Sequence, residues 1–121
     1  MKKVLIAEDD TLLQSILIKS FVNAGFDAHG ANDGFAAELE IKAWHPEILI
    51  LDLLMPNEDG FGVLRTIRSD SDTAKTEVIV LSNLSEAKTV AEVKKFGVSD
   101  YFVKASTTPS EIVAFVKKKF G

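Results

Sequence analysis

Six side chains in this 121-residue chain could do chemistry together. Glu8, Asp9 and Asp10 follow the apolar run Val4-Leu5-Ile6-Ala7, and Asp52 follows Ile48-Leu49-Ile50-Leu51. Ser82 follows Val78-Ile79-Val80-Leu81, and Lys104 follows Tyr101-Phe102-Val103. Clustered carboxylates repel one another and favour a bound cation. Oxygen-only ligands select a hard metal such as Mg²⁺, which typically takes one or two carboxylates, several waters and a phosphate oxygen. A carboxylate can also attack phosphorus to form an acyl phosphate. A metal, the Lys104 ammonium and the Ser82 hydroxyl would then neutralise charge on the oxygens of a transferring phosphoryl group. Each residue also has a plainer reading. The acidic run could cap a helix, Asp52 could open a loop, Ser82 could be an N-cap and Lys104 a solvated lysine. Their joint placement beyond four apolar runs favours the chemical reading.

The apolar runs read as strands and the segments between them as helices. Val4–Ala7, Ile48–Leu51 and Val78–Leu81 are continuously apolar, as strands buried on both faces of a sheet are. Tyr101–Val103 is a further strand, and Phe26–Gly30, carrying Asp27 and His29, is polar enough for a sheet edge. Thr11–Ala24 places Leu13, Ile16, Leu17, Phe21 and Ala24 on one helical stripe, with Gly25 to end it in the left-handed conformation. Asp33 can cap a helix to about Trp44, before Pro46. Asp52–Asp59 is expected to be a loop, punctuated by Pro56 and Gly60, before a helix with Val63, Leu64 and Ile67 inward. Ser85–Phe96 is expected to be a helix stopped by Gly97. Thr108-Pro109-Ser110-Glu111 spells a capping box with proline at the first helical position. Five strands alternating with five helices imply a parallel sheet wrapped on both faces, with right-handed crossovers. In such a sheet ligands bind beyond the carboxyl ends of the strands, where the six residues fall.

Composition removes several classes. The length fits one domain, residues 1–121. Fourteen basic against eighteen acidic residues give a charge of −4, against a nucleic-acid binder with a broad cationic face. Lys117–Lys119 reads as a solvated helix end. With no cysteine there is no disulfide, thiolate nucleophile or Cys-ligated metal, and His29 and His45 are too few for a multi-histidine metal site. The longest apolar run, Ile112–Val116, is far short of the ~18 residues of a membrane span. The apolar stretch after Met1-Lys2-Lys3 stops at Glu8, too early for a signal peptide, so a cytoplasmic location is expected. Gly60-Phe61-Gly62 lacks the third glycine of a dinucleotide fingerprint, and neither a Walker A sequence nor a Gly-x-Ser-x-Gly elbow is present.

Four motifs carry a resemblance: V-L-I-A-E-D-D (Val4 to Asp10), I-L-D-L-L-M-P-N-E-D-G (Ile50 to Gly60), V-L-S (Val80 to Ser82) and D-Y-F-V-K (Asp100 to Lys104). Over essentially its whole length the chain resembles a two-component response-regulator receiver domain. The resemblance implies a flavodoxin-like α/β sandwich with strand order 2-1-3-4-5. It implies that Asp52 is a phosphoacceptor, taking its phosphoryl group from the phosphohistidine of a sensor histidine kinase or a phosphotransfer protein. Glu8 and Asp9 would be the acidic pair, with Asp9 directly on Mg²⁺ (or Mn²⁺ in its place) and Glu8 acting through a water. The Leu54 carbonyl would be a further metal ligand. Ser82 and Lys104 would contact the phosphoryl oxygens. Tyr101 would be the switch aromatic, turning inward as Ser82 moves. The fourth helix, fifth strand and fifth helix would form the face that binds an output protein or domain, and phosphorylation could promote dimerisation there. No membrane contact and no direct nucleic-acid contact are expected of this domain.

Four departures from the family pattern bear on these expectations. Ala105 follows Lys104 where the family usually has a proline in a cis bond, and without proline a cis bond costs ~3–4 kcal/mol. Asn83 follows Ser82, where small residues are common. Leu54 and Leu84 are apolar, so neither can orient a water for attack, and slow self-dephosphorylation is expected. Asp10 reads as a helix cap and not a ligand. The preferred reading is a signalling switch that is not a turnover enzyme. The alternatives are a receiver-like docking module that is not phosphorylated, or a Mg²⁺-dependent phosphatase or phosphotransferase. Haloacid-dehalogenase-type phosphatases usually carry a second aspartate two residues past the nucleophile, where this chain has Leu54. The last expected helix runs out at Gly121, which fits either a stand-alone receiver or a piece of a longer regulator.

Overall fold

The computed structural model describes residues 1–121. Its elements are β1 (Lys3–Ala7), α1 (Thr11–Asn23), β2 (Asp27–Ala31), α2 (Gly34–Trp44), β3 (Ile48–Leu51), α3 (Gly60–Ser69), β4 (Glu77–Ser82), α4 (Ala87–Lys94), β5 (Asp100–Val103), a 3-10 turn (Lys104–Ser106) and α5 (Pro109–Phe120). All strand pairings are parallel, in the order β2-β1-β3-β4-β5. This is the doubly wound, flavodoxin-like arrangement expected from the sequence.

The continuously apolar strands explain the layering. Alternate residues of β1, β3 and β4 point to opposite faces, and each face needs a helical cover. Leu5, Ala7, Leu49, Leu51, Val78 and Val80 form one core with Ala37 and Ile41 of α2 and with Val63, Leu64 and Ile67 of α3. Val4, Ile6, Ile48, Ile50, Ile79 and Leu81 form the other with Leu17 and Phe21 of α1 and with Ile112 and Val116 of α5.

Local signals set the helix ends. Asp10 Oδ1 accepts the Leu12 and Leu13 N–H groups, and Asp33 Oδ1 accepts that of Ala36. Asp59 Oδ1 accepts the Gly62 N–H, so α3 begins at Gly60. A Cβ on Gly60 would sit 2.6 Å from Leu53 Cα and 2.8 Å from the Asp52 carbonyl. Only glycine lets this helix start so close to the strand end that bears Asp52. Thr108 and Glu111 form the capping box reciprocally. Gly25, with φ of 95°, turns the chain out of α1 into β2.

Three expectations need correction. Ile16 is 43% exposed, so the buried stripe of α1 is narrower than the sequence suggested. β2 covers Asp27–Ala31, one residue later than expected, because its backbone follows the β1 register from Lys3 to Ala7. α4 runs only from Ala87 to Lys94. Ser85 stays outside it because the preceding loop is held back toward the sheet, as described next.

Candidate functional site

The chemical residues are placed by main-chain bonds that prolong the ladder past the strand ends. The Glu8 N–H donates to the Ala31 carbonyl at 2.9 Å, and the Asp52 N–H donates to the Ala7 carbonyl at 3.0 Å. These bonds carry two acidic residues beyond the β1 and β3 runs while keeping their backbones in the sheet. Glu8 and Asp52 are 2% and 4% exposed, whereas Asp9 faces solvent. One carboxylate oxygen from each of the three lies within 4.8 Å of the others.

Lys104 reaches into this cluster from the end of β5. Its ammonium lies 2.6 Å from Glu8 Oε1 and 2.7 Å from Asp52 Oδ2. The other Asp52 oxygen accepts the Leu54 N–H at 3.0 Å, and Glu8 Oε2 accepts the Asp10 N–H at 3.0 Å. Burial pushes the Glu8 carboxyl above the usual glutamate range, and the Asp52 charge adds to this; the Lys104 and Asp10 bonds oppose it and only partly succeed. Burial of the Lys104 ammonium pulls the other way, yet its bonds to Asp52 and Glu8 prevail and leave it above the ordinary lysine value.

Ser82 is fully buried at the end of β4, and its hydroxyl accepts the Leu84 N–H at 3.3 Å. The Leu84 carbonyl in turn accepts the Tyr101 hydroxyl. Leu84 is therefore held at both its amide and its carbonyl, which draws the loop toward the sheet ahead of α4. Burial raises the Tyr101 hydroxyl above the ordinary tyrosine value, and the nearby Asp52 charge contributes. The Lys104–Ala105 peptide is trans, as are all others, and the chain continues into the 3-10 turn.

Glu8, Asp9, Asp52, Ser82 and Lys104 are thus gathered at one edge of the sheet, with Tyr101 reaching the same loop. The donor set suits a hard cation, since it is made only of oxygens and its carboxylates outnumber the single ammonium. The Leu54 side chain is 52% exposed beside the cluster. Two partners escaped the sequence reading. Gln14 Nε2 lies within hydrogen-bond distance of the Glu8 and Ala31 carbonyls and of Asn32 Oδ1, clasping β1 to β2 below the acidic run. Its signal was a polar residue between Leu13 and Leu17, on a stripe otherwise apolar. Asn83 Oδ1 accepts the Ala105 N–H at 3.0 Å, joining two positions that looked like unrelated departures.

The strand order and the acidic cluster at the carboxyl edge define a doubly wound α/β protein with a polar cluster where such sheets bind their ligands. Within that class the chain belongs to the response regulator receiver domain family, whose sequence model matches residues 4–117. The chain is similar to a probable transcriptional regulator ycf27 of Porphyridium aerugineum, 34% identical over 96% of this chain and 47% of that protein. It is 31% identical to the regulatory protein AtoC of Escherichia coli over 86% of this chain and 22% of that protein. It therefore spans about half or less of the length of these relatives. Among solved structures, the receiver domain of Francisella response regulator 1452 superposes with a TM-score of 0.88 at 30% identity, covering 98% of this chain and 95% of that one. A response regulator receiver protein from Pseudomonas putida superposes with a TM-score of 0.89 at 28% identity, covering 98% and 97%. No helix is long and apolar enough to cross a membrane.

Proposed function

We propose that this chain is a phosphorylation-activated signalling switch in which Asp52 accepts a phosphoryl group. The observation that carries this reading is the setting of Asp52: buried, in a trio of carboxylates, with one oxygen on the Lys104 ammonium. An Asp52 oxygen attacks phosphorus, the bond from phosphorus to the donor histidine nitrogen breaks, and its electron pair leaves with the imidazole. Glu8, Asp9 and Asp52, with the Leu54 carbonyl, would hold Mg²⁺. Bound there, the ion supplies positive charge beside the incoming phosphoryl oxygens. Lys104 and the Ser82 hydroxyl neutralise and bind those oxygens.

The Ser82 hydroxyl now holds the Leu84 amide, so turning it toward a phosphoryl oxygen releases one of the two bonds that fix the loop. Tyr101 makes the other, and in this reading it is the switch aromatic that responds as Ser82 moves. The donor is a sensor histidine kinase or phosphotransfer protein, in the cytoplasm. The α4-β5-α5 face carries the output, which the names of the relatives suggest is regulation of transcription through a further domain or partner. The chain transfers phosphate to itself and sheds it slowly, without conventional turnover.

Incubation with acetyl phosphate and Mg²⁺ should add one phosphoryl group to the intact mass. Asp52→Ala should abolish the adduct. No adduct on the wild type, or equal labelling of the variant, would sink the reading.

A further inference from the structure

The 3-10 turn Lys104–Ser106 starts without a local cap, because Val103 at the cap position offers no side-chain acceptor. The first N–H groups of such a turn have no partner inside it. The Ala105 N–H finds one in Asn83 Oδ1, which approaches from the neighbouring loop. Ser82 and Val103 form the last rung between β4 and β5. The Asn83 carboxamide therefore adds one more tie just past the end of the ladder, between the residue after Ser82 and the residue after Lys104.

Placement gives this tie a consequence. The Lys104 side chain has to span from the sheet edge to both Glu8 Oε1 and Asp52 Oδ2, so the direction of its stem depends on the peptide that follows it. We propose that Asn83 is a positioning residue for Lys104. Its side chain fixes the Ala105 amide and so aims the ammonium at Asp52. The same bond links the Ser82 loop to the Lys104 loop, so the two groups that would grip a phosphoryl group keep a set spacing. An alanine at position 105 is part of the arrangement, since proline there would have no N–H to give.

This role deepens the phosphoacceptor reading and rests on it, but it can be read without any phosphoryl transfer. The experiment uses the full chain, isotope-labelled for NMR, as wild type, Asn83→Ala and Asn83→Asp. In Asn83→Ala the Ala105 amide should exchange about fivefold faster, as loss of one modest hydrogen bond implies. The Lys104 side-chain methylene signals next to the ammonium should shift, and the initial rate of Asp52 labelling by acetyl phosphate with Mg²⁺ should fall about fivefold. Asn83→Asp, which keeps an acceptor oxygen, should restore protection of the Ala105 amide. Unchanged Ala105 exchange in Asn83→Ala would overturn the proposal. So would faster exchange with the Lys104 signals unmoved, since Asn83 would then be only a cap. Failure of the wild type to be labelled would count against the phosphoacceptor reading, while the amide and Lys104 signals would still decide the role of Asn83.

Discussion

The two ends of the central strands treat charge in opposite ways. At the amino edge, Arg68 of α3 is surrounded by main-chain carbonyls. Its Nε donates to Phe96 at 2.6 Å, Nη1 to Ala74 and Thr76 at 2.9 and 2.8 Å, and Nη2 to Gly97 at 3.3 Å. Thr73 donates to the Ile67 carbonyl beside it, and Ser99 donates to Glu77. Burial lowers the Arg68 guanidinium from its ordinary value, but with such partners it remains charged. At the carboxyl edge three carboxylates face one ammonium. The largest surface cavity, about 620 Å³, opens at the amino edge, where Arg68 is held by main-chain carbonyls while Lys75 and Lys95 line the rim in solvent. The difference lies in burial: Glu8 and Asp52 are 2% and 4% exposed, whereas Lys75 and Lys95 stand in solvent.

Breaking each end separately tests this contrast. Lys104→Met removes the only cation from two buried carboxylates and should cost about 3 kcal/mol at neutral pH, measured by urea unfolding. Glu8, whose carboxyl is already raised, keeps its proton in the folded chain to a higher pH than in the unfolded chain. Between those two values the fold binds more protons, so its contribution to stability is present in acid and fades as pH rises through the raised value. The Lys104→Met deficit should therefore shrink on mild acidification, and a deficit independent of pH would contradict the crowding of charge. Next, Mg²⁺ at about a hundredfold over its dissociation constant should stabilise the wild type by ~2.7 kcal/mol. Asp9→Asn should lose most of that gain; an equal gain in Asp9→Asn would place the ion elsewhere.

At the opposite end, Arg68→Ala should cost about 2 kcal/mol through lost bonds to carbonyls. Neither Mg²⁺ nor acid should restore it beyond the wild-type gain, and Asp52 labelling of the folded protein should keep its rate. Recovery by Mg²⁺ would erase the distinction between the two ends. The smallest effect concerns the apolar rim. Leu54→Asn with Leu84→Gln should speed loss of phosphate on the order of tenfold by letting a side chain orient water. Unchanged decay, followed by intact mass, would show that the leucines do not set the lifetime.

Much of this was legible because buried parallel strands write themselves as unbroken apolar runs. Val4–Ala7, Ile48–Leu51 and Val78–Leu81 all lie inside the observed strands. The residues directly after those runs then had to share an edge, so Glu8, Asp9, Asp52, Ser82 and Lys104 could be grouped without coordinates. Strand order could not be read this way, since an apolar run does not name its neighbour; it came from the resemblance. The start of α4 was misplaced because Leu84 is held by Ser82 and Tyr101, partners that helical periodicity does not register. Arg68 and Gln14 were missed, and the partner of Asn83 was not legible, for a related reason. Each bonds to main-chain groups far away in sequence, and such bonds leave no periodic trace.

The staple at Arg68 has a mechanical side. Arg68 grips the Phe96 and Gly97 carbonyls just beyond the far end of α4, whereas Glu86 at its near end makes no side-chain cap bond. A short rod pinned at one tip and loose at the other opens from the loose tip, because uncapped first-turn amides have the least to lose. The loose tip is the one that follows Leu84. The loop after Ser82 therefore meets α4 at its uncapped end, about two turns from the end that Arg68 holds.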